Sequence, residues 1–289
     1  MVSVVIAAHN EESTLGATLG ALLGQAGAGT AEVVVSANAC TDRTVQIAGA
    51  CGAIVVDRAE QGKAAALNAA DAVATGYPRI YLDADIVLPP GSVPALLRHF
   101  DQPSPPLAVV PRRRVDASGS SVAVRAYCLI NERLPAFRRG LFGRGIIVLS
   151  EAGRRRFHEF PTMIADDLYV DSQFTDDERE EAEDVEIVVT APRTARGLVR
   201  RLVRLRRGNT QLRVAAAHGS LRGRVRPSDR WSWWRDVVLP APHLLPAGLL
   251  YCTITLLAAA LARHPSAAEN WDRAPDARMA VVGRSRTAR

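Results

Sequence analysis

The chain opens on Val2-Ser3-Val4-Val5-Ile6-Ala7-Ala8-His9-Asn10-Glu11-Glu12. An apolar, β-branched run that stops at consecutive polar residues is the pattern of a buried strand delivering a loop at its carboxyl end. Working outward, residues 11–23 place Leu15, Leu19, Leu22 and Leu23 at helical spacing. A second strand is expected at 32–36 and a helix at 42–50, with Asp42 placed to cap it. A third strand follows at 53–56, a helix at 62–74, and a fourth strand at 79–82 that ends on Asp83-Ala84-Asp85. Strands alternating with helices in this way predict an α/β fold with a doubly wound parallel sheet. Ligands of such sheets bind beyond the carboxyl ends of the strands, so the loops at 8–12, 37–42 and 83–87 are expected to face one crevice.

Composition excludes several classes. With 289 residues, 48% hydrophobic and 23% charged, the chain is too apolar for a disordered tail and long enough for one large domain or two small ones. Cys40, Cys51, Cys128 and Cys252 form no CxxC or Cys/His cluster, which argues against a disulfide scaffold or zinc ribbon and suits a reducing compartment. Met1 leads into the apolar run without a basic region before it or a small-residue cleavage site after it, so no signal peptide is expected.

Three prolines within 101–106 punctuate the chain and divide residues 1–105 from 106–192. The second half predicts a strand at 107–110, a helix around 122–137, a glycine-spaced strand at 143–149, and a short helix within 160–174 carrying Asp166 and Asp167. Residues 176–186 hold eight acids in eleven and read as a solvated surface segment. From 193 to 235 there are thirteen arginines against one acid, Asp229. Leu198, Val199, Leu202, Val203 and Leu205 recur there at helical spacing, making a basic amphipathic connector. It fits an anionic membrane surface, or equally a helix with one face on the domain and one in water.

Residues 237–262 carry no Asp, Glu, Lys or Arg, and 244–262 are long enough to cross a bilayer as a helix. Trp231, Trp233, Trp234, Arg235 and Arg263 bracket this stretch as headgroup-level residues would. Membrane contact by 236–263 is therefore expected ahead of a buried core helix, with spanning and interfacial placements both open. A basic, flexible tail is expected over 264–289.

Lys+Arg totals 36 for a net charge of +6, yet Lys63 is the one lysine in the chain. Beside Gly62, an ammonium is a compact point charge that a guanidinium does not copy next to a diphosphate. Asp83 and Asp85, one residue apart at a strand's carboxyl end, can converge on a hard divalent cation. Isolated, such a triplet is common in turns. Here it follows Ala8-His9-Asn10-Glu11-Glu12, then Asn38-Ala39-Cys40-Thr41-Asp42-Arg43-Thr44, then Gln61-Gly62-Lys63-Ala64-Ala65-Ala66-Leu67-Asn68. On these motifs, in this order, the chain resembles the family 2 glycosyltransferases of the GT-A fold.

The resemblance implies a mixed sheet flanked by helices that binds a nucleotide-sugar donor with a divalent cation, Mn2+ or Mg2+. It implies donor-binding roles for His9, Asn10, Glu11, Asn38, Asp42, Gly62, Lys63, Asn68, Asp83 and Ala84, with Asp85 and Asp83 on the metal. Where Asn38 stands many members carry Asp; either side chain can read a uracil, guanine or thymine edge. Asp166 and Asp167 match an acidic pair whose second member, Asp167, takes the proton of the acceptor hydroxyl; a well-placed weak base suits attack on an oxocarbenium-like centre. Gly143-Arg144-Gly145-Ile146 resembles a strand beneath donor sugar and acceptor. Arg206 and Arg207 stand where processive members carry Gln-x-x-Arg-Trp; without that Gln and Trp, the expectation is non-processive transfer with these arginines on the diphosphate. An inverting glycosyltransferase on the cytoplasmic face of a membrane, with a lipid-linked or small-molecule acceptor, is the leading reading. A nucleotidyltransferase is the enzymatic alternative, but no glycine-rich phosphate loop follows the first strand. The other alternative is a non-catalytic binder of membrane or nucleic acid; few aromatics interleave the arginines, so nucleic acid is not expected.

Overall fold

The computed structural model describes residues 1–25, 31–162, 165–219, 221 and 223–264. The first half runs β1 (Val2–Ala8), α1 (Leu15–Leu23), β2 (Ala31–Asn38), α2 (Thr44–Ala50), β3 (Ile54–Arg58), α3 (Lys63–Val73), β4 (Arg79–Leu82) and α4 (Ser92–Arg98). The second runs β5 (Ala108–Asp116), α5 (Val122–Asn131), α6 (Pro135–Arg139), β6 (Ile146–Leu149), α7 (Glu151–Arg154), α8 (Asp166–Asp171) and β7 (Arg179–Thr190). Two long helices follow, α9 (Ala195–Ala217) and α10 (Leu245–Ala262). The expected tail falls outside the described residues apart from His264.

All seven strands form one sheet in the order β3-β2-β1-β4-β6-β5-β7. The β3-β2-β1-β4 half is parallel, β6 is antiparallel to both its neighbours, and β7 runs parallel to β5. The sheet is thus mixed, and it passes through both halves of the chain. Apart from Ser3, β1 is apolar because both its faces are covered. Val4, Ile6 and Ala8 pack with Leu15 and Leu19 of α1 and Leu96 of α4, while Val5 and Ala7 face Leu67 of α3 and Leu168 of α8.

The antiparallel strand matters most for the site. Leu82, the last residue of β4, pairs with Ile146, the first of β6. Residues 143–145, entering β6, therefore lie beside the acidic residues leaving β4. At the far end of α3, Asp71 accepts from Arg79, from Arg154 of α7 and from the Tyr81 hydroxyl at 3.0 Å. That buried hub ties α3 to β4 and so fixes where Lys63, the first residue of α3, must sit.

Residues 176–186 are not the solvated segment expected. Most of them build β7, the edge strand, in which Ala182, Val185 and Ile187 turn inward while the acids line the outside. Pro111 pairs with Ala182 and Arg112 with Glu186, so the strand bulges between them. A charged edge of this kind resists pairing with another chain.

The helix expected at 122–137 is divided into α5 and α6. The helix expected from residue 11 begins only at Leu15, because the Glu11 carbonyl turns back to accept from the N–H groups of Thr14 and Leu15. Beyond the sheet, α10 lies against α5 and α9. Ile254 packs with Val124, Tyr127 and Leu198, and Tyr251 stacks on Tyr127 at 4.9 Å. The opposite side of α10 exposes Leu249, Leu250, Leu256, Leu257 and Leu261. Among the described residues, the helical stretch Pro242–Ala262 is long and apolar enough to cross a membrane, judged by length and composition.

Candidate active site

The loops leaving β1 and β2 are stitched to each other. His9 Nδ1–H donates to the Asn38 carbonyl at 2.5 Å, and Asn10 Oδ1 accepts from the Thr41 N–H at 2.8 Å. The Glu11 N–H donates to Thr44 Oγ1 at 2.8 Å and the Glu12 N–H to Asp42 Oδ2 at 3.0 Å. Asn10 (φ 52°) and Ala39 (φ 49°) both sit in the left-handed region. Such conformations persist in non-glycine residues where surrounding bonds over-determine them.

Asp42 is spent within this stitching: its Oδ1 accepts from the Thr44 N–H at 3.0 Å and hydroxyl at 2.5 Å. Burial raises its carboxyl pKa, but these hydrogen bonds outweigh that and hold it below the usual value. Asn38 is fully enclosed, and among the described residues neither its Nδ2 nor its Oδ1 has a hydrogen-bond partner. The 39–41 loop and the end of β3 line a cleft of about 560 Å³ through Ala39, Cys40, Thr41, Asp57, Arg58 and Ala59. The residues from β3 escaped the sequence reading, although β3 delivers its carboxyl end to the same rim as β1 and β2.

The centre of the site is Lys63. Its Nζ is 2.9 Å from Asp83 Oδ1 and 2.8 Å from Asp166 Oδ2, bridging the two halves of the chain. Burial lowers the ammonium's pKa, yet the two carboxylates more than reverse this and keep it charged well above the usual range. Gly62 precedes it at φ 149°, a conformation that L side chains rarely adopt, so glycine is needed here for its backbone rather than for space. Gly145 is needed for both reasons: φ is 71°, and an added Cβ would lie 2.6 Å from the Ile86 side chain. Its carbonyl accepts from the Asp83 N–H at 2.8 Å, which sets the height of the acidic turn.

Asp167 stands in the first turn of α8, next to Asp166. Its Oδ2 accepts from the Gly143 N–H at 2.9 Å and its Oδ1 from the Leu168 N–H at 2.8 Å. Burial, then the neighbouring Asp166 charge, push its carboxyl up to about 6, against the opposing pull of Lys63 and the two N–H groups.

Several expected donor residues have other duties. Ala84 is buried in the core and its carbonyl accepts from Thr18 Oγ1 at 2.9 Å, so it anchors the turn from below while Asp83 and Asp85 flank it. Asn68 clasps the Phe160 backbone, donating to its carbonyl at 3.0 Å and accepting from its N–H at 2.8 Å; both ends of the amide are used. Arg207 donates to the carbonyls of Leu261, Ala262 and His264, at the carboxyl end of α10. Unsatisfied carbonyls at a helix end attract such a cation. Arg206 lies near the Tyr127–Tyr251 pair.

As metal ligands, Asp83 and Asp85 offer two hard carboxylates. Among the described residues no group of three or more His, Cys, Asp or Glu is placed to hold an ion. The donor set fits a cation of the magnesium kind, which takes one or two carboxylates and completes its shell with substrate phosphates and water.

Among curated proteins none matches the chain. Among solved structures it is similar to the mannosyltransferase PcManGT from Pyrobaculum calidifontis in complex with GDP-Man and Mn2+. The identity is 21% and the TM-score 0.60, over 92% of this chain and 76% of that one. It is also similar to S. aureus TarS 1-349 in complex with UDP-GlcNAc, at 17% identity and TM-score 0.52, covering 65% of this chain and 58% of that one. A mycobacterial protein aligns at 20% identity and TM-score 0.50 over 66% of each chain, so this chain spans less than two thirds of the length of TarS and of that protein. These likenesses show a shared GT-A fold. Residues 3–152 match the family described as Glycosyl transferase family 2. With more than half of its length inside that match, the chain belongs to glycosyl transferase family 2 and is a glycosyltransferase of the GT-A fold.

Proposed function

We propose that the chain moves a sugar from a nucleoside-diphosphate donor to an acceptor hydroxyl with inversion, one sugar at a time. The observation that carries this reading is the Lys63 bridge from Asp83 to Asp166, because it sets the acidic turn of β4 against the acidic pair of α8 across one crevice. Family membership favours this reading over the nucleotidyltransferase and non-catalytic ones.

In this mechanism the cleft beside 39–41 and 57–59 takes the nucleoside, and the diphosphate reaches toward Lys63. Asp85 and Asp83 would hold a divalent cation, Mn2+ or Mg2+, which supplies positive charge to the departing diphosphate. Lys63 adds a fixed ammonium on the same side. Asp167 takes the acceptor's hydroxyl proton as that oxygen bonds to the anomeric carbon. The bond from that carbon to phosphate oxygen breaks, and its electron pair leaves with the nucleoside diphosphate. A carboxyl poised near 6 is ionised at neutral pH and still basic enough to help.

The exposed leucines of α10 support contact with the cytoplasmic face of a membrane. Because the other side of α10 packs on α5 and α9, an in-plane placement fits better than a spanning one. Spanning would draw the arginines of α9 into hydrocarbon, at a cost of about 3 kcal/mol each or more. Leu256→Glu should then abolish pelleting with anionic vesicles while leaving the melting temperature unchanged.

The deciding experiment is a thermal-shift panel of UDP, GDP, dTDP and their sugars, with and without Mn2+. Stabilisation by one base series, enhanced by the metal, is expected. No stabilisation by any of them, or release of pyrophosphate during turnover, would overturn the reading.

A further inference from the structure

Arg113 is a cation that the donor chemistry leaves unused. It lies in β5 beyond the positions, Ala108 and Val109, at which that strand pairs with β6. Its Nη1 donates to the Gly143 carbonyl at 3.1 Å, and its guanidinium covers the Phe137 ring at 5.0 Å. A guanidinium has five N–H donors. Among the described residues Arg113 uses one of its nitrogens, forms no ion pair, and keeps the others in touch with solvent-accessible space.

Its surroundings deepen the positive field. Arg144 and Arg201 stand close; burial first, then these like charges, lower its pKa to about 10, while Glu132 pulls the other way. Arg144 is already committed to Glu181 and to four backbone carbonyls, and Glu132 accepts from the Val115 N–H at 2.8 Å. Glu132 balances part of this charge without standing at ion-pair distance, so an anion docking on the half-buried guanidinium gains from the remainder.

Gly143 connects this cation to the candidate base. Its N–H donates to Asp167 while its carbonyl accepts from Arg113, so the two side chains hang from opposite ends of one residue. We propose that Arg113 is an anion-binding residue of the acceptor site, and that the acceptor carries a phosphate ester close to the hydroxyl that Asp167 deprotonates. The planar fork of a guanidinium matches two phosphate oxygens, and a phosphate held there would position its neighbouring hydroxyl at the base. The inference rests on the reading of Asp167 as that base. The phosphate could belong to a soluble metabolite or to a lipid headgroup; the recognition chemistry is the same.

The test uses the full chain with its donor site saturated by the nucleoside diphosphate that binds it and Mn2+. Calorimetric titrations compare glycerol 3-phosphate with glycerol, and phosphatidylcholine vesicles with the same vesicles doped with phosphatidylglycerol, whose headgroup carries hydroxyls beside its phosphate. Binding of either phosphate probe over its neutral control is expected, and which one binds identifies the source. Arg113→Gln should weaken that probe by about tenfold or more without changing nucleotide affinity, and Arg113→Lys should fall between the two. Unchanged probe affinity in Arg113→Gln, or no binding of either probe to a protein that binds nucleotide, overturns the proposal. If Arg113→Gln does not fold, wild-type probe affinity in Arg113→Lys overturns it instead. If no nucleotide binds, the donor reading fails, and the same titrations run without nucleotide still decide the role of Arg113.

Discussion

Asp42 and Asp167 make an instructive pair. Each stands at a helix start on the rim of the same crevice, and each accepts hydrogen bonds from two backbone N–H groups. Yet the carboxyl of Asp42 is held below its usual range and that of Asp167 is pushed up to about 6. At Asp42, burial is outweighed by hydrogen bonds that include the Thr44 hydroxyl. At Asp167, burial is reinforced by the adjacent Asp166, and Lys63 offsets only part of it. The difference teaches that hydrogen-bond number does not mark a base; desolvation and a like-charged neighbour do. Asp42 is a clasp between two loops, whereas the raised pKa of Asp167 suits the base proposed above.

The largest expected effect breaks or confirms that contrast directly. Asp167→Asn should lower kcat by about 10²–10⁴-fold with nucleotide binding retained, whereas the loss from Asp42→Asn should be far smaller. Equal losses, measured as nucleoside diphosphate release, would erase the distinction. Next in size, Lys63→Ala should weaken donor binding by about 10–100-fold, the value of a charge-assisted contact. It should also move the acid limb of kcat/KM above pH 6, because Lys63 is what pulls the Asp167 carboxyl down. An unmoved limb would assign that limb to another group.

A third change separates structure from chemistry. Asn68→Ala should cost about 1–3 kcal/mol of stability, since it orphans both polar groups of the Phe160 backbone. A loss of donor affinity without a lower melting temperature would return Asn68 to the nucleotide.

The smallest effect lies in stability against pH. A carboxyl whose folded pKa is raised costs stability as pH climbs from the ordinary 3.8 through about 6, so Asp167→Asn should melt higher than wild type above that window and equally below it. For Asp42, whose pKa is depressed, the sign reverses. Asp42→Asn should melt lower at neutral pH, and the gap should close as acid titrates the carboxylate in the parent.

Much of the first half was legible because β1 to β4 write their burial into local sequence, with β-branched runs ending in polar loops. β7 was not legible. Its five acids line the outside and the bulge, and they mask the inward Ala182, Val185 and Ile187 that only a partner strand reveals. Within the site, Lys63 stood out as a lone lysine, but its second carboxylate, Asp166, lies more than a hundred residues away. Arg113 gave no signal, being one of three consecutive arginines among many.

The amino-acid order alone determined the alternating elements of the parallel half, the loops that gather at its rim, and which residue types stand in them. These follow from side-chain periodicity and backbone preference, which act over a few residues. Tertiary structure alone decided that Asn68, Ala84 and Arg207 brace the scaffold, that Lys63 joins both halves, and that the carboxyl pKa is raised at Asp167 and lowered at Asp42. Those outcomes depend on desolvation and on charges brought together from distant segments, and neither exists until the chain has folded.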